Sequence, residues 1–336
     1  MKEITPAELK ERLQAGEALT VLDIREADEY AEWHIRGSMN IPVYNALNAG
    51  EVSPLTEQLH QLPSDRPVVA VCRAGYTSRA AADILESSGF AAFSLRGGMR
   101  LWSGVWSEAN VPLPSLTEAQ LVQVRRNAKG CLSYLLASQG EAFVVDPCVD
   151  ASAYAAIAKR LGARITRVAE THVHADHLSR AQDLCGTSGA QLMLPANNRV
   201  RYPFTPLHGG DTLTIGAWNV TVHATPGHTE ESVCYSLNGK ALLTGDTLFV
   251  SGIGRPDLEK GNAGAGDGAA RLYESLKTTI LGFDNGMLIL PGHDSRPIGL
   301  DGQAVAARLG ELRPALKRLA AGRDEFVAAV LGSLGA

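Results

Sequence analysis

The residues best suited to chemistry crowd into one heptapeptide, Thr171-His172-Val173-His174-Ala175-Asp176-His177. Four potential metal ligands fall within it, in a chain with only 9 histidines. Imidazole and carboxylate together suit iron, zinc or manganese. Three more candidates recur downstream in one setting, where a short apolar run feeds a glycine turn that carries a single ligand. Pro226-Gly227-His228-Thr229, Thr244-Gly245-Asp246-Thr247 and Pro291-Gly292-His293-Asp294 all have this form. That repetition predicts a metal centre on loops at strand ends, where rigid scaffolds carry their sites.

A second reactive group stands far from the first. The apolar run Val68–Val71 ends at Cys72, and Arg73-Ala74-Gly75-Tyr76-Thr77-Ser78-Arg79 follows. A cysteine at a strand end, a tight loop and then a helix N-terminus is a thiolate-activating arrangement. Inward N–H groups, the helix dipole and the two arginines all favour negative charge there. The same cradle suits an anionic sulfur donor, or a persulfide on Cys72. The other cysteines, Cys131, Cys148, Cys185 and Cys234, lie in or beside apolar segments and read as packing residues. With no CxxC pair and an odd count, a disulfide framework or zinc ribbon is not expected.

These sites need elements to hold them. In the first third, Thr20–Ile24 and Val68–Cys72 read as buried strands, and Thr5–Ala15 and Ser78–Ser88 as amphipathic helices. Such alternation predicts a mostly parallel sheet with helices on both faces. Val111-Pro112-Leu113-Pro114-Ser115 disfavours helix and reads as a boundary. The expected organisation is a domain over 1–111, a linker over 112–119 and a domain over 120–336. The second part opens with short strands at Leu121–Ala128, Cys131–Ala137 and Ala142–Asp146, broken by Lys129-Gly130 and Gln139-Gly140. A helix over 151–162 and a strand Ile165–Glu170 lead to the histidines. Further strands are expected at Gln191–Leu194, Leu213–Ile215, Asn219–Ala224, Ser232–Leu237 and Ala241–Leu243. The fold class is α/β, with a layered sandwich of two sheets covered by helices in the second part. The glycine-rich stretch 261–268 is expected to be a solvent loop or a mobile rim of the site.

Composition bounds the rest. The 336 residues are 45% hydrophobic and 20% charged, with formal net charge -5, normal for a globular protein with room for two cores. No basic surface points to nucleic acid. No apolar run approaches the roughly 18 residues of a membrane span. The charged, helix-like start lacks a signal-peptide core, so a cytoplasmic protein is expected. The oligomeric state is open, and a homo-oligomer is allowed.

THVHADH, PGHT, TGDTL and PGHD together resemble the metallo-β-lactamase superfamily over about residues 120–336, which implies its αββα sandwich. Within it, thiolesterases of the glyoxalase II type hold two metals with all seven residues. Persulfide dioxygenases keep the same seven yet bind one Fe(II). Carried over, the iron ligands are His172, His228 and Asp246, with His174, Asp176, His177 and His293 as supporting groups or a second metal site. Two histidines and a carboxylate leave positions open for dioxygen and a sulfur ligand. Gly254-Arg255-Pro256-Asp257 resembles the GRxD segment of these dioxygenases, implying that Arg255 holds a glutathione carboxylate. A loop arginine paired with Asp257 is the other reading.

CRAGYTSR resembles the active loop of rhodaneses. LDIRE at 22–26, HIRGSMNIP at 34–42, LRGGM at 95–99 and Trp102 extend the likeness over about residues 1–108. It implies sulfurtransfer at Cys72, with Arg73, Gly75, Tyr76, Thr77, Ser78 and Arg79 as substrate-loop residues. Asp23 and His34 are expected to stabilise the fold. The joint expectation is a rhodanese–persulfide dioxygenase fusion in sulfide detoxification. It would take glutathione persulfide and O2 to sulfite and glutathione, with sulfite and thiosulfate linking the two activities. Fusions of this kind place the rhodanese last, whereas here it comes first. The alternative is a dinuclear zinc thiolester hydrolase with a rhodanese domain.

Overall fold

The computed structural model describes residues 2–113, 119–174, 179–257, 261–320 and 322–334. Asp176 and His177, and residues 114–118 of the expected linker, lie outside them. The chain divides into two compact units: Met1–Ser107 with Arg125–Gly130 and Ser295–Gln303, and Glu108–Val124 with Cys131–Asp294 and Ala304–Ala336.

The first unit is built on a five-stranded parallel sheet. Its order is Glu3–Ile4, Ala92–Leu95, Val68–Val71, Thr20–Asp23 and Met39–Asn40. Every residue of Thr20–Asp23 and Val68–Val71 is buried, which is why these runs are apolar without alternation. Helix Pro6–Gln14 starts where the sequence indicates. Thr5 accepts from the Glu8 N–H while Glu8 accepts from the Thr5 N–H, a reciprocal cap. Asp23 and Arg25 form a buried pair, Nη2 to Oδ2 2.6 Å, and Arg25 also donates to the Trp33 carbonyl. Two short segments from later in the chain complete this unit through one buried cation. Arg125, 1% exposed, donates to Ser107 Oγ and to the Gln303 carbonyl. Asn127 Nδ2 reaches the Gly299 carbonyl at 3.1 Å.

The second unit is layered. A seven-stranded sheet runs Thr205–Leu207, Gln191–Pro195, Arg164–Ala169, Glu141–Val145, Cys131–Ser138, Ala119–Arg126 and Ser107–Asn110. A six-stranded sheet runs Thr212–Ile215, Trp218–Ala224, Val233–Leu237, Ala241–Gly245, Leu288–Pro291 and Ala307–Arg308. Phe143 of one meets Tyr235 of the other edge-on, centroids 6.0 Å apart. Helices Gly261–Glu274 and Arg323–Leu334 close the core of the second sheet with Leu272, Phe326 and Val330. Among the described residues no helix is long and apolar enough to cross a membrane.

The stretch 261–268 corrects the expectation of a loop: it is the first half of helix Gly261–Glu274. Its glycines serve close packing. A Cβ on Gly268 would lie 2.7 Å from the Pro256 carbonyl oxygen and 3.0 Å from that of Gly227. The helix therefore rests its backbone on the turn that carries His228, and a side chain there would push the two apart.

Candidate metal centre and thiol loop

The ligand candidates stand at strand ends. His172 and His174 follow Arg164–Ala169, His228 follows Trp218–Ala224, Asp246 follows Ala241–Gly245 and His293 follows Leu288–Pro291. Four strands of two sheets thus aim their outgoing loops at one place. The donor atoms of His172, His228 and Asp246, all buried, lie within 4.8 Å of one another. His228 Nε2 is 3.7 Å from Asp246 Oδ2, and the His172 and His228 rings are perpendicular with centroids 4.9 Å apart.

The hydrogen bonds around these rings choose their tautomers. Thr171 donates its hydroxyl to Asp146 Oδ2 at 2.8 Å, so its oxygen accepts from His172 Nδ1 at 3.0 Å. His228 Nδ1 donates to the Arg255 carbonyl at 2.8 Å. In both rings the lone pair is left on Nε2, the atom facing the cluster. His172 Nε2 is buried and has no hydrogen-bond partner among the described residues. A buried acceptor without a donor is costly, and a bound cation would satisfy it. Burial, then the neighbouring His174 and His228, hold the His172 imidazole well below its ordinary range, which keeps it neutral as a ligand must be. The donor set therefore fits a metal ion.

Two more imidazoles are tied to carboxylates. His293 Nδ1 donates to Asp246, 2.7 and 3.0 Å from its two oxygens. Burial opposes the charged ring, but Asp246 outweighs it and raises His293 well above its usual range. His174 Nε2 lies 2.7 Å from Glu170 Oε2 and 3.3 Å from Asp146 Oδ1. Asp146, Glu170 and His174 form a second group of possible ligands. The sequence reading missed Asp146 and Glu170. The available signal was a carboxylate closing each of two apolar strands, VVD and RVAE. It also missed Glu231, whose buried carboxylate accepts the Val173 N–H at 2.9 Å and pairs with Arg199.

Arg255 contributes its backbone carbonyl to His228. Its side chain, more than half exposed, is paired with Asp257 at 2.7 Å.

In the first unit, Cys72 is 1% exposed at the end of Val68–Val71. Its sulfur accepts the Gly75 N–H at 3.1 Å and donates to Ser78 Oγ at 3.3 Å, and Ser78 in turn meets Ser94. Thr77 begins the helix Thr77–Ser87 and donates to Asn48. Tyr76 is 70% exposed. The loop arginines do not turn to the thiol. Arg73 pairs with Glu29 and lies over Tyr44, and Arg79 pairs with Glu3 and lies over Tyr76. Nearby carboxylates, invisible to spacing, capture them.

Comparison with known proteins agrees with both halves. The rhodanese-like domain model matches residues 5–104, and the metallo-beta-lactamase superfamily model matches residues 126–293. A hydroxyacylglutathione hydrolase of Anaeromyxobacter dehalogenans is 38% identical over 57% of this chain and 75% of its own length. The mitochondrial persulfide dioxygenase ETHE1 of Homo sapiens is 30% identical over 60% of this chain and 76% of its own. The crystal structure of ETHE1 from Myxococcus xanthus superposes with a TM-score of 0.54 at 28% identity, covering 62% of this chain and 88% of that one. The chain belongs to the metallo-beta-lactamase superfamily and carries a rhodanese-like domain ahead of that fold.

Proposed function

We propose that the second unit oxidises glutathione persulfide with dioxygen at a single iron, and that Cys72 carries sulfane sulfur for the rhodanese-like domain. The reaction balances as persulfide, O2 and water giving thiol and sulfite. The observation behind this reading is the division among the site residues. His172, His228 and Asp246 converge with two Nε2 lone pairs and one carboxylate, while His174 and His293 hold carboxylates. Two histidines and one carboxylate are a donor set that would suit non-haem Fe(II).

Iron(II) held by these three residues supplies open positions and the electrons by which a sulfur ligand and dioxygen react. The chain does the rest. The Arg255 carbonyl and Thr171 hold the two rings in the tautomer that leaves Nε2 free. His293 fixes the rotation of the Asp246 carboxylate. Arg255 is the cation we assign to a glutathione carboxylate, in place of Asp257. In the other unit, the Cys72 sulfur attacks the outer sulfur of thiosulfate. An S–S bond forms as the thiosulfate bond breaks, and sulfite leaves. The Gly75 N–H stabilises the resulting persulfide, which a second thiol then takes. Sulfite made in one unit and thiosulfate used in the other share a sulfur pool.

The hydrolase relative favours a second reading, in which two zinc ions serve thiolester hydrolysis. Metal analysis with oxygen uptake separates the two. Near one iron per chain, and O2 consumption on adding glutathione persulfide, is the expected result. Two zincs and hydrolysis of S-lactoylglutathione would overturn it. Asp246→Ala should lose both metal and oxygen uptake.

A further inference from the structure

Strand Ala92–Leu95 carries a serine whose hydroxyl the chemistry proposed above leaves unused. Ser94 is 0% exposed. A hydroxyl kept from water needs a partner, and Ser94 Oγ lies 2.9 Å from Ser78 Oγ. Ser78, equally buried, is the second residue of helix Thr77–Ser87, and its Oγ takes the Cys72 S–H at 3.3 Å. Ser94 reaches this place because its strand pairs directly with the one that ends at Cys72, with Ala70 and Ser94 as partners. Sulfur and two hydroxyls thus form one buried chain of hydrogen bonds.

The chain matters because the loop arginines are engaged elsewhere, Arg73 with Glu29 and Arg79 with Glu3. A sulfur anion here leans on neutral donors: the Gly75 N–H at 3.1 Å and the Ser78 hydroxyl. Hydroxyls both donate and accept, so the chain can run in either direction. With the thiol donating to Ser78 Oγ, Ser78 turns its own hydrogen to Ser94. When the thiol proton passes to solvent, Ser78 turns that hydrogen to the sulfur, and Ser94 turns its hydrogen to Ser78. No heavy atom has to move. A hydrogen bond to a charged group is about twice as strong as a neutral one, and each bond in a chain polarises the next. The reversed chain is therefore the stronger one.

We propose that Ser78 and Ser94 are a reversible donor pair for the Cys72 anion, in which Ser78 gives the hydrogen bond and Ser94 is a positioning residue acting through it. The pair deepens, and rests on, the reading of Cys72 as the sulfur carrier. The anion it stabilises occurs twice in that reaction. It attacks the outer sulfur of thiosulfate, and the negative charge leaves with sulfite as the S–S bond of thiosulfate breaks. It returns when an acceptor thiolate bonds to the outer sulfur of the Cys72 persulfide and the Cys72 sulfur leaves as an anion.

The test follows the Cys72 thiolate by its ultraviolet absorbance through a pH titration of the purified full chain, with its metal. Each variant is read against the same variant carrying Cys72→Ser, which cancels the other thiols and the tyrosines. Ser78→Ala should lower the thiolate fraction at neutral pH about tenfold or more, the range for a hydrogen bond to a charged group, and displace the titration to higher pH. Ser94→Ala should lower it roughly threefold, since it removes only the polarisation of that bond. In the Ser78→Ala background, Ser94→Ala should add nothing, because a cycle of the two variants isolates what they share. An unchanged titration in Ser78→Ala overturns the pair. An unchanged titration in Ser94→Ala, or two effects that multiply in the double variant, overturns the role of Ser94. The titration reads no sulfurtransfer. If transfer proves absent while the titration still answers to both serines, the carrier reading fails and the donor pair stands.

Discussion

Replacing Gly98 by alanine probes whether the backbone behind Cys72 is as tightly built as it looks. Gly98 has φ +55°, and a Cβ there would overlap the Cys72 carbonyl oxygen and come within 2.7 Å of Gly75 N and 2.9 Å of Ala74 N. The left-handed conformation alone costs an L-residue about 1–2 kcal/mol. The crowded oxygen accepts from Met99 N at 2.8 Å, and Arg100 N donates to the Arg73 carbonyl at 2.9 Å. Losing both bonds adds about 0.5–1.5 kcal/mol each, for a sum of about 2–5 kcal/mol. Gly89 is the control. It has φ +91° with nothing within 4 Å of an added Cβ, so Gly89→Ala carries the conformational cost only. At about 4–8 °C per kcal/mol for a domain of this size, Gly98→Ala should melt at least ~4 °C below Gly89→Ala. Sulfurtransfer from thiosulfate to glutathione should fall by up to about 10²-fold, because the Cys72 carbonyl must shift and the thiol shifts with it. Equal melting temperatures with undiminished transfer would refute the reasoning.

Two further outcomes follow from the contacts. Glu231→Ala leaves the Val173 N–H without its acceptor, at a cost of about 1–3 kcal/mol. It should weaken metal binding roughly 10–100-fold in chelator competition; unchanged affinity would show that the Val173 loop is held by other contacts. Cys72→Ser should end sulfurtransfer while sparing oxygen uptake, and transfer that persists would mean Cys72 is not the carrier.

Much of this site could be read in the chain because its candidate ligands sit at strand ends. THVH, PGH, TGD and PGH each follow an apolar run, and a run ending in glycine or a polar cluster marks where a buried strand must surface. Four such ends predicted one centre, and His172, His228, Asp246 and His293 are found within contact distance of one another or of a shared neighbour. The parallel sheet under Cys72 was legible for the same reason, since strands buried on both faces need unbroken apolar residues. Helix Gly261–Glu274 was not. Glycine content signals a loop unless a packing partner forbids side chains, and that partner, the Gly227 turn, lies more than thirty positions away in the chain.

What stayed hidden is the set of groups that decide how each ligand presents itself. Asp146 acts on His172 through the hydroxyl of Thr171. Arg255 acts on His228 through a backbone oxygen that any residue would offer. Neither partnership has a spacing or a residue type that announces it. The same holds in the thiol loop, where Glu3 and Glu29 draw off the arginines that the sequence assigns to the sulfur. Charge near a reactive group can be counted from sequence, but its direction depends on competitors brought in by the fold. The consequence bears on the choice between one metal and two. All seven ligand types are present in the chain, so ligand identity cannot make that choice. Whether His293 serves a second ion or holds Asp246 for the first turns on one Nδ1 hydrogen bond.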